Sequence, residues 1–339
     1  MRNSSIELYR IIATLTVLIV HYNGWFVGIP QAYDLANPTL FRTGQMIIEA
    51  ATIICVNMFL IITGYFGVRL KLLSVLRICL LLLFIYVPFN IINSVLNGSF
   101  SIKSLVGCFF VISRSGYFIQ GYLMLMFFSP VLNSFIDRYS PKQVLGWTSL
   151  FFLIKFWFDC IMDAESLGFG KGFSVTHFLL MYFVGRCIFL YKDVLINRKK
   201  SLWVAGYVIL TLLICICYIA HVPFAYKYSN PLVVLSSVCS FVPFLYKIYY
   251  NKIINSIAAV TLPVYIIQLV PPANDFLIWI DNYLLNEYSY LLYLLISLVI
   301  LSLFFVGCIV YGKIIEMPIR ALIKVADRRI NTIYARLGL

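Results

Sequence analysis

The sequence predicts an all-α integral membrane protein, a polytopic bundle of about ten transmembrane helices. Hydrophobic residues make up 62% of the chain and charged residues only 12%, whereas soluble domains carry about 25% charged residues. The apolar runs are long and continuous rather than alternating, which favours a helix bundle over a β-barrel. Ten spans of ~20 residues and the short connections between them account for most of the 339 residues. We therefore expect residues 1–339 to form one transmembrane domain without a fused soluble domain.

Ten apolar runs place the spans along the chain. The run at 104–113 is too short to cross a membrane. The first run lacks a small-residue cleavage site after Val20, which indicates an uncleaved span. After the last span, Pro318 predicts a helix stop, and residues 313–339 alternate basic with apolar side chains, as in an amphipathic helix at the membrane surface. We expect spans at 6–28, 46–68, 72–94, 117–136, 144–162, 174–191, 202–220, 231–248, 256–272 and 289–313.

Charged residues predict the orientation of these spans. Basic residues cluster at both ends of the chain and in every second connection, while the opposite connections carry Asp34, Asp159, Asp163, Glu165, Asp275, Asp281 and Glu287. The positive-inside rule therefore predicts cytoplasmic termini, with 29–45, 159–173 and 273–288 facing outward. Topology explains the net charge of +13, so we expect no nucleic-acid partner. The nine cysteines lie in or beside apolar runs without metal-ligand spacing, and we expect no metal site.

The first span carries two ionisable residues where lipid makes them costly, Arg10 and His21. Eleven positions separate them, about three turns plus 20°, so both side chains lie on one helix face about 16 Å apart. We expect that face to point into the protein or a wet cavity, which makes it the first candidate site. Glu7, three residues before Arg10, is placed to pair with its guanidinium.

Motifs along the whole chain resemble those of acyltransferase family 3. The opening SIELYRIIA at 5–13, followed by His21-Tyr22, is similar to the family's first helix, in which a basic residue precedes a His by eleven positions. The run VNMFLIITGYF at 56–66 resembles the signature of its second helix. Further similar runs are Gln120-x-Tyr122 continuing to SPVLN at 129–133, NPLVV at 230–234, INSIA at 254–258 and TLPVYIIQ at 261–268. The chain departs from the family at Gln268, where members often have His.

The resemblance implies a membrane O-acyltransferase. Members move an acyl group, usually acetyl, from cytoplasmic acetyl-CoA to a hydroxyl of a cell-surface or lipid-linked polysaccharide such as a capsule, an exopolysaccharide or an O-antigen. The resemblance further implies a multi-pass protein of the bacterial plasma (inner) membrane. Its partners would be acyl-CoA as co-substrate, a glycan or lipid-linked oligosaccharide as acceptor, and membrane lipid.

His21 and Arg10 are the candidate catalytic residues. An imidazole titrates near neutral pH, so His21 is suited to accept the proton of a sugar hydroxyl or to carry the acyl group. The alternative is a structural His, satisfied by a neighbouring helix. The fork of donors on Arg10 suits a phosphate of CoA, and a positive-inside anchor is its alternative.

Other polar residues are candidates for binding or support. Arg69, Lys71 and Arg77 match the family's basic cluster in position and are the candidate CoA-binding residues, although charged turns are also an ordinary topology signal. Asn57 is placed to bridge helices, and Thr63-Gly64 to allow close packing. Arg114 is placed to meet an anionic glycan or a lipid headgroup, or to snorkel; His177 and His221 are expected at the outer interface. The supporting candidates are Glu7, Asn57, Tyr65, Gln120 and Tyr265.

A transporter or flippase of lipid-linked sugars is the alternative function. In that interpretation Arg10 and His21 form a substrate or proton path through the membrane. It predicts two related halves with interrupted helices in matching positions, and the sequence shows no such repeat. Acyl-CoA binding without transfer is a third hypothesis.

Overall fold

The computed structural model describes residues 2–26, 37–165, 168–170 and 172–337, and these parts of the chain contain helices and no strand. The predicted all-α membrane bundle is confirmed. Residues 29–36 of the connection 29–45, which include Asp34, lie outside the described residues. The helices are α1 Ser4–His21, α2 Leu40–Thr52, α3 Cys55–Phe66, α4 Leu72–Leu96, α5 Ile102–Gly107, α6 Val111–Arg114, α7 Tyr117–Arg138, α8 Pro141–Phe156, α9 Val175–Leu190, α10 Lys192–Ile196, α11 Lys200–Ile219, α12 Pro231–Phe241, α13 Lys252–Ala258, α14 Leu262–Ile267, α15 Ala273–Glu287 and α16 Tyr290–Leu337.

Seven helical segments within the described chain are long and apolar enough to cross a membrane. Three further predicted spans coincide with shorter apolar helices, Val175–Leu190, Pro231–Leu245 and Lys252–Ile267. All ten predicted positions are therefore helical, while the count of ten crossings and their orientation stay predictions. The seven long segments are Ser4–Gly24, Leu40–Phe66, Leu72–Leu96, Tyr117–Arg138, Pro141–Ile161, Lys200–Ile219 and Tyr290–Ile330.

The first helix lies in the interior of the bundle. The most apolar window of Ser4–Gly24 is 67% buried, against 17% for α4 and for α11. Helix α1 packs against α2, α3, α13 and α14, so protein covers its residues on several sides. Helices α4 and α11 instead present apolar side chains outward, as helices at a lipid boundary do.

Two of the predicted spans are interrupted rather than continuous. The span predicted at 46–68 is the pair α2 and α3, which are separated by a turn at Ile53-Ile54. The span predicted at 256–272 is the pair α13 and α14, and Pro263 lies in the first turn of α14. Proline lacks the backbone donor that would continue the preceding helix but fits a first turn, so the chain restarts there. Both interrupted pairs contact α1.

Helices α3 and α9 cross at two glycines. A Cβ added to Gly64 would lie 2.3 Å from the backbone oxygen of Tyr182, and one added to Gly185 would lie 2.8 Å from the Cα of Gly64. Only the absence of side chains lets the two backbones approach so closely. The packing role predicted for Thr63-Gly64 is therefore confirmed.

The predicted outward connection 273–288 is a helix, α15, rather than a loop. Asp281, expected among the exposed acids of that connection, is fully buried and accepts a hydrogen bond of 2.8 Å from the Tyr293 hydroxyl of α16. Burial raises the pKa of the Asp281 carboxyl to about 6. This side chain therefore anchors α15 on α16 instead of facing water.

The last helix is much longer than a bilayer crossing requires. Helix α16 has 48 residues, which corresponds to about 72 Å at 1.5 Å per residue. Pro318 lies inside it, so the prediction of a helix stop at Pro318 is wrong, and the tail continues the last span instead of forming a separate surface helix. Glu316 bonds Arg77 of α4 at 2.5 Å and Arg320 at 2.8 Å. Packing of this segment against a neighbouring helix holds it helical despite the missing donor.

Candidate functional site

His21 is the last residue of α1 and lies in a mostly aromatic and amide surrounding. Its side chain is buried, with 7% exposed. The ring centroid of Tyr265, from α14, lies 6.3 Å from that of His21, and the side-chain amide of Gln268 lies next to the imidazole. The helix continues past His21 as a π-helix, Tyr22–Phe26, a form that is frequent at functional sites.

Gln268 is the residue at which the chain departs from the family motif, and it lies beside the predicted catalytic histidine. Its side chain is fully buried. A carboxamide both donates and accepts hydrogen bonds but does not titrate near neutral pH. In this pair of side chains, the imidazole is therefore the group that can exchange a proton.

Arg10 lies on the same continuous helix as His21, as the seventh residue of α1, at the end of the second turn. Its guanidinium bonds the Glu7 carboxylate at 3.1 Å, and its side chain is 29% exposed. This confirms the predicted pairing of Glu7 with Arg10. The phenol of Tyr122, from α7, lies within electrostatic reach of the guanidinium. Because α1 is an unbroken helix from Ser4 to His21, Arg10 and His21 share one face at about 16 Å.

Aromatic rings connect the surroundings of Arg10 with those of His21. Tyr122 and Phe118 lie one turn apart on α7, and the Phe118 ring is 5.3 Å from the ring of Tyr265. The backbones of α1 and α7 do not pack closely against each other. The face that carries Arg10 and His21 is thus lined on the opposite side by Tyr122, Phe118 and Tyr265.

The structure separates the three candidate CoA-binding cations. Arg69 and Lys71 are exposed in the link between α3 and α4, and within the described residues neither forms an ion pair. Arg77 lies on α4 and its charge is shared with Glu316. Arg77 is therefore engaged in holding α4 to α16, while Arg69 and Lys71 offer uncompensated charge.

Arg186, on α9, joins this charged link. Its Nη1 donates to the backbone oxygen of Tyr65 at 3.4 Å, and its guanidinium lies 4.7 Å from the ring centroid of Phe189. Gly67, with φ of +74°, leaves room beside Nη1. The supporting candidate Tyr65 packs its ring against Phe189, with centroids 5.5 Å apart. The motif residues Gly64-Tyr65 therefore position Arg186 as well as α9.

Asn57 bridges three elements, as its mid-span position predicted. Its amide donates to the backbone oxygen of Tyr228 at 3.0 Å, and its Oδ1 lies 2.7 Å from Nε2 of His177 on α9. The prediction that His177 is an interfacial residue is wrong, because its side chain is fully buried. Asn57 supplies the hydrogen-bonding partner that a buried imidazole needs, so His177 can lie in the interior.

A buried ion pair lies next to His177. Lys155 and Asp159 are both fully buried, with Nζ 2.5 Å from Oδ2, and Nζ also donates to Ser174 at 3.2 Å. Asp159 was expected in an outward loop, and that prediction is wrong because the helix continues to Ile161. The spacing of four residues, which puts both side chains on one face of a helix, was the signal in the sequence.

Glu49 is a buried acid that the sequence analysis missed. It lies on α2 within the segment Leu40–Phe66, with 3% of its surface exposed. Its Oε2 accepts a hydrogen bond of 2.8 Å from Asn23, two residues after His21. An acid in the middle of an apolar run was the available signal, since such residues are costly in lipid.

Gln120, a supporting candidate, does not contact His21 or Arg10 through its hydrogen bonds. Its amide donates to the backbone oxygens of Ile112 and Ser115 at 3.1 and 2.9 Å. Gln120 therefore holds the turn between α6 and α7, where the chain needs an outside donor for helix-end carbonyls.

Comparisons of the chain with protein-family models, with curated proteins and with solved structures found no match. Within the residues that the structure describes, no group of three His, Cys, Asp or Glu side chains is arranged to hold a metal ion. All nine cysteines are free thiols. The features that remain for a functional argument are the buried His21 with Tyr265 and Gln268, and the cations at the other end of the same face.

Proposed function

We propose that this protein is an O-acyltransferase of a bacterial plasma membrane, and that it moves an acetyl group from cytoplasmic acetyl-CoA to a hydroxyl of a cell-surface or lipid-linked glycan. One observation carries the proposal. His21 is buried at the end of α1 between Tyr265 and Gln268, on the helix face that also carries Arg10. The resemblance to acyltransferase family 3 supports the same interpretation.

The chemistry assigned to His21 is proton transfer during attack on a thioester. The sugar oxygen bonds to the acetyl carbonyl carbon, the imidazole takes the hydroxyl proton, and the carbon–sulfur bond breaks to release CoA, whose sulfur takes up a proton. In the covalent variant the imidazole nitrogen first bonds to the acetyl carbon while the carbon–sulfur bond breaks and CoA leaves as the thiol. The sugar oxygen then bonds to the same carbon, the carbon–nitrogen bond breaks, and the freed imidazole takes the hydroxyl proton. Gln268, which does not titrate, lies beside the imidazole in both routes and leaves His21 as the group that exchanges the proton.

The acyl donor approaches from the Arg10 end of the face. CoA carries its phosphates on a bulky nucleotide and its thioester on a long thin arm, and about 16 Å of helix separates Arg10 from His21. Arg10, Arg69, Lys71 and Arg186 supply the positive charge for the phosphates. Tyr122 and Phe118 line the path that the arm takes towards His21.

The decisive experiment measures acetyl transfer by the purified protein in proteoliposomes that carry a lipid-linked glycan. With isotope-labelled acetyl-CoA, the wild-type protein is expected to yield a glycan that is heavier by one acetyl group. The His21→Gln variant keeps a hydrogen-bonding amide without a titrating nitrogen, and its rate should fall about 10²–10⁴-fold. His221→Asn is the matched control, because His221 is exposed with φ of +57°, a conformation that Asn tolerates. Full activity of His21→Gln would remove His21 from the mechanism.

The interrupted helices favour a second candidate, a transporter of lipid-linked sugars. Helices α2–α3 and α13–α14 are both broken near mid-segment and both contact α1. Transporters bind substrates and ions at such breaks, and Glu49 lies close to the first one. The same proteoliposomes separate the two candidates: glycolipid that becomes accessible on the opposite leaflet without a gain of acetyl mass identifies transport.

A further inference from the structure

We propose that the pocket between α4, α6 and the link that joins α14 to α15 binds a sugar unit of an anionic glycan, and that Arg114 binds its acidic group. The role of this pocket as the acceptor site for acetyl transfer rests on the proposed function. The inference that the pocket binds a glycan is independent of the proposed function. The cavity measures about 180 Å³, which is room for one small unit such as a sugar ring rather than for a drug-sized ligand. Its walls are Tyr86, Asn90, Asn93, Cys108, Arg114, Val270 and Pro271.

Two carboxamides give this pocket both hydrogen-bonding functions. The amide nitrogen of Asn90 donates to Ser104 at 2.7 Å, and Oδ1 of Asn93 accepts from Asn97 at 3.0 Å. Within the described residues, the oxygen of Asn90 and the nitrogen of Asn93 form no further hydrogen bond. A sugar hydroxyl donates one hydrogen bond and accepts others, so these two groups suit adjacent hydroxyls, while almost all the surface that the wall exposes is carbon. The carbon surfaces of Val270, Pro271 and the Tyr86 ring suit the C–H face of a sugar ring.

Arg114 adds an uncompensated positive charge to the wall. Its Nη1 lies 3.8 Å from the sulfur of Cys108, and its guanidinium occupies the space beside Gly107. No carboxylate in the described part of the chain forms an ion pair with it. A guanidinium held in this way binds carboxylate or phosphate through paired hydrogen bonds. The ligand is therefore a glycan that bears an acid, either on the sugar itself or as the phosphate of a lipid carrier.

Tyr265 lies between this pocket and His21. Its ring is 6.3 Å from the imidazole, and its hydroxyl lies beside Gly116, where an added Cβ would be 3.2 Å away. Gly116 lies two residues after Arg114, the last residue of α6, and the phenol of Tyr86 is an electrostatic neighbour of Tyr265. Tyr265 does not line the pocket, and its ring separates a sugar unit bound there from His21, so the hydroxyl that is acetylated belongs to a neighbouring unit of the same glycan.

The surface around the pocket exposes large apolar side chains. Helix α5 and the link that joins it to α6 carry these side chains, with Ile102 71%, Phe109 63% and Phe110 66% exposed. Apolar side chains on short helices next to a cationic one are typical of the membrane interface. The ligand thus reaches the pocket along the membrane surface, as the glycan of a lipid-linked or membrane-attached polymer does.

The test measures binding of defined oligosaccharides to the full chain in nanodiscs, without acyl-CoA. We expect an oligosaccharide that contains a uronic acid, or a glycolipid with a phosphate, to bind at least tenfold more tightly than a neutral oligosaccharide of equal length. Arg114→Gln should lose about tenfold in affinity for the acidic ligand, about 1.4 kcal/mol, and none for the neutral one. Lys103→Gln is the matched control, because Lys103 is an exposed cation of α5 that does not line the pocket.

A second variant keeps the test decisive if Arg114→Gln expresses poorly. Asn93→Asp places a carboxylate in the pocket and should repel the acidic ligand by like charge. A preference for the uronic acid identifies the sugar as the source of the charge, and a preference for the phosphate identifies the lipid carrier. Equal binding of neutral and acidic glycans, or an affinity unchanged in both variants, would overturn the proposal. Intact binding without any acetyl transfer by the wild type would instead contradict the proposed function alone.

Discussion

Replacement of Gly64 by alanine is expected to destabilise the bundle, because α3 and α9 touch at this position. The added Cβ would lie 2.3 Å from the backbone oxygen of Tyr182, where ordinary contact begins at 3.4 Å. The helices must therefore separate by about 1 Å, and a gap of ~0.5–1 Å forfeits a quarter to a half of the attraction between facing atoms. Overpacking of this kind costs about 1–3 kcal/mol.

Alanine also offsets part of this loss of stability, because it is a better helix former than glycine. Glycine inside a helix costs about 0.5–1 kcal/mol relative to alanine. For Gly64→Ala the clash is with backbone atoms, which cannot rotate away, so we expect a net loss of about 1–2 kcal/mol. Gly307→Ala is the control, because within the described chain no atom lies within 4 Å of its added Cβ. This variant should be as stable as the wild type or slightly more stable.

The assay is the fraction of folded, monodisperse protein in detergent after heating, followed for the wild type and the two variants. A lower midpoint for Gly64→Ala with an unchanged or higher midpoint for Gly307→Ala supports the close crossing. If both variants melt together at the wild-type midpoint, α3 and α9 do not touch at Gly64 and the reasoning is refuted.

The remaining predictions concern the buried ion pair, the charged link and the topology. Lys155→Met should destabilise the protein by about 3–5 kcal/mol, because it leaves the Asp159 carboxylate buried and unpaired. The double variant Lys155→Met/Asp159→Leu should regain most of that stability, as measured by thermal unfolding. If the double variant is no more stable than Lys155→Met, the pairing is contradicted. Arg69→Ala should raise the KM for acyl-CoA more than the KM for the acceptor, because a phosphate contact of equal strength in ground and transition states is uniform binding; a change in acceptor dependence alone would exclude contact with CoA. A cysteine at Asn274 should react with a membrane-impermeant thiol reagent in intact cells and a cysteine at Lys199 should not, and the reverse pattern would invert the topology.

The positions of the helices and the face shared by Arg10 and His21 followed from the sequence alone. Lipid demands continuous apolar runs with internal backbone hydrogen bonding, so composition and run length report the spans directly. The shared face and the pairing of Glu7 with Arg10 depend only on the geometry of one continuous helix. These properties are local, so they can be predicted from the sequence without knowing how the neighbouring helices pack.

The surroundings of His21 and the buried polar groups were decided only by the tertiary structure. Gln268 lies beside His21, and His177 lies beside Asn57, through contacts between helices that are far apart in the chain. The hydropathy pattern placed His177 and Asp159 at the outer boundary. A polar residue near the end of an apolar run gives the same pattern whether water or a polar side chain forms its hydrogen bonds. Which of the two applies depends on how α3, α8 and α9 pack, and no local pattern carries that information.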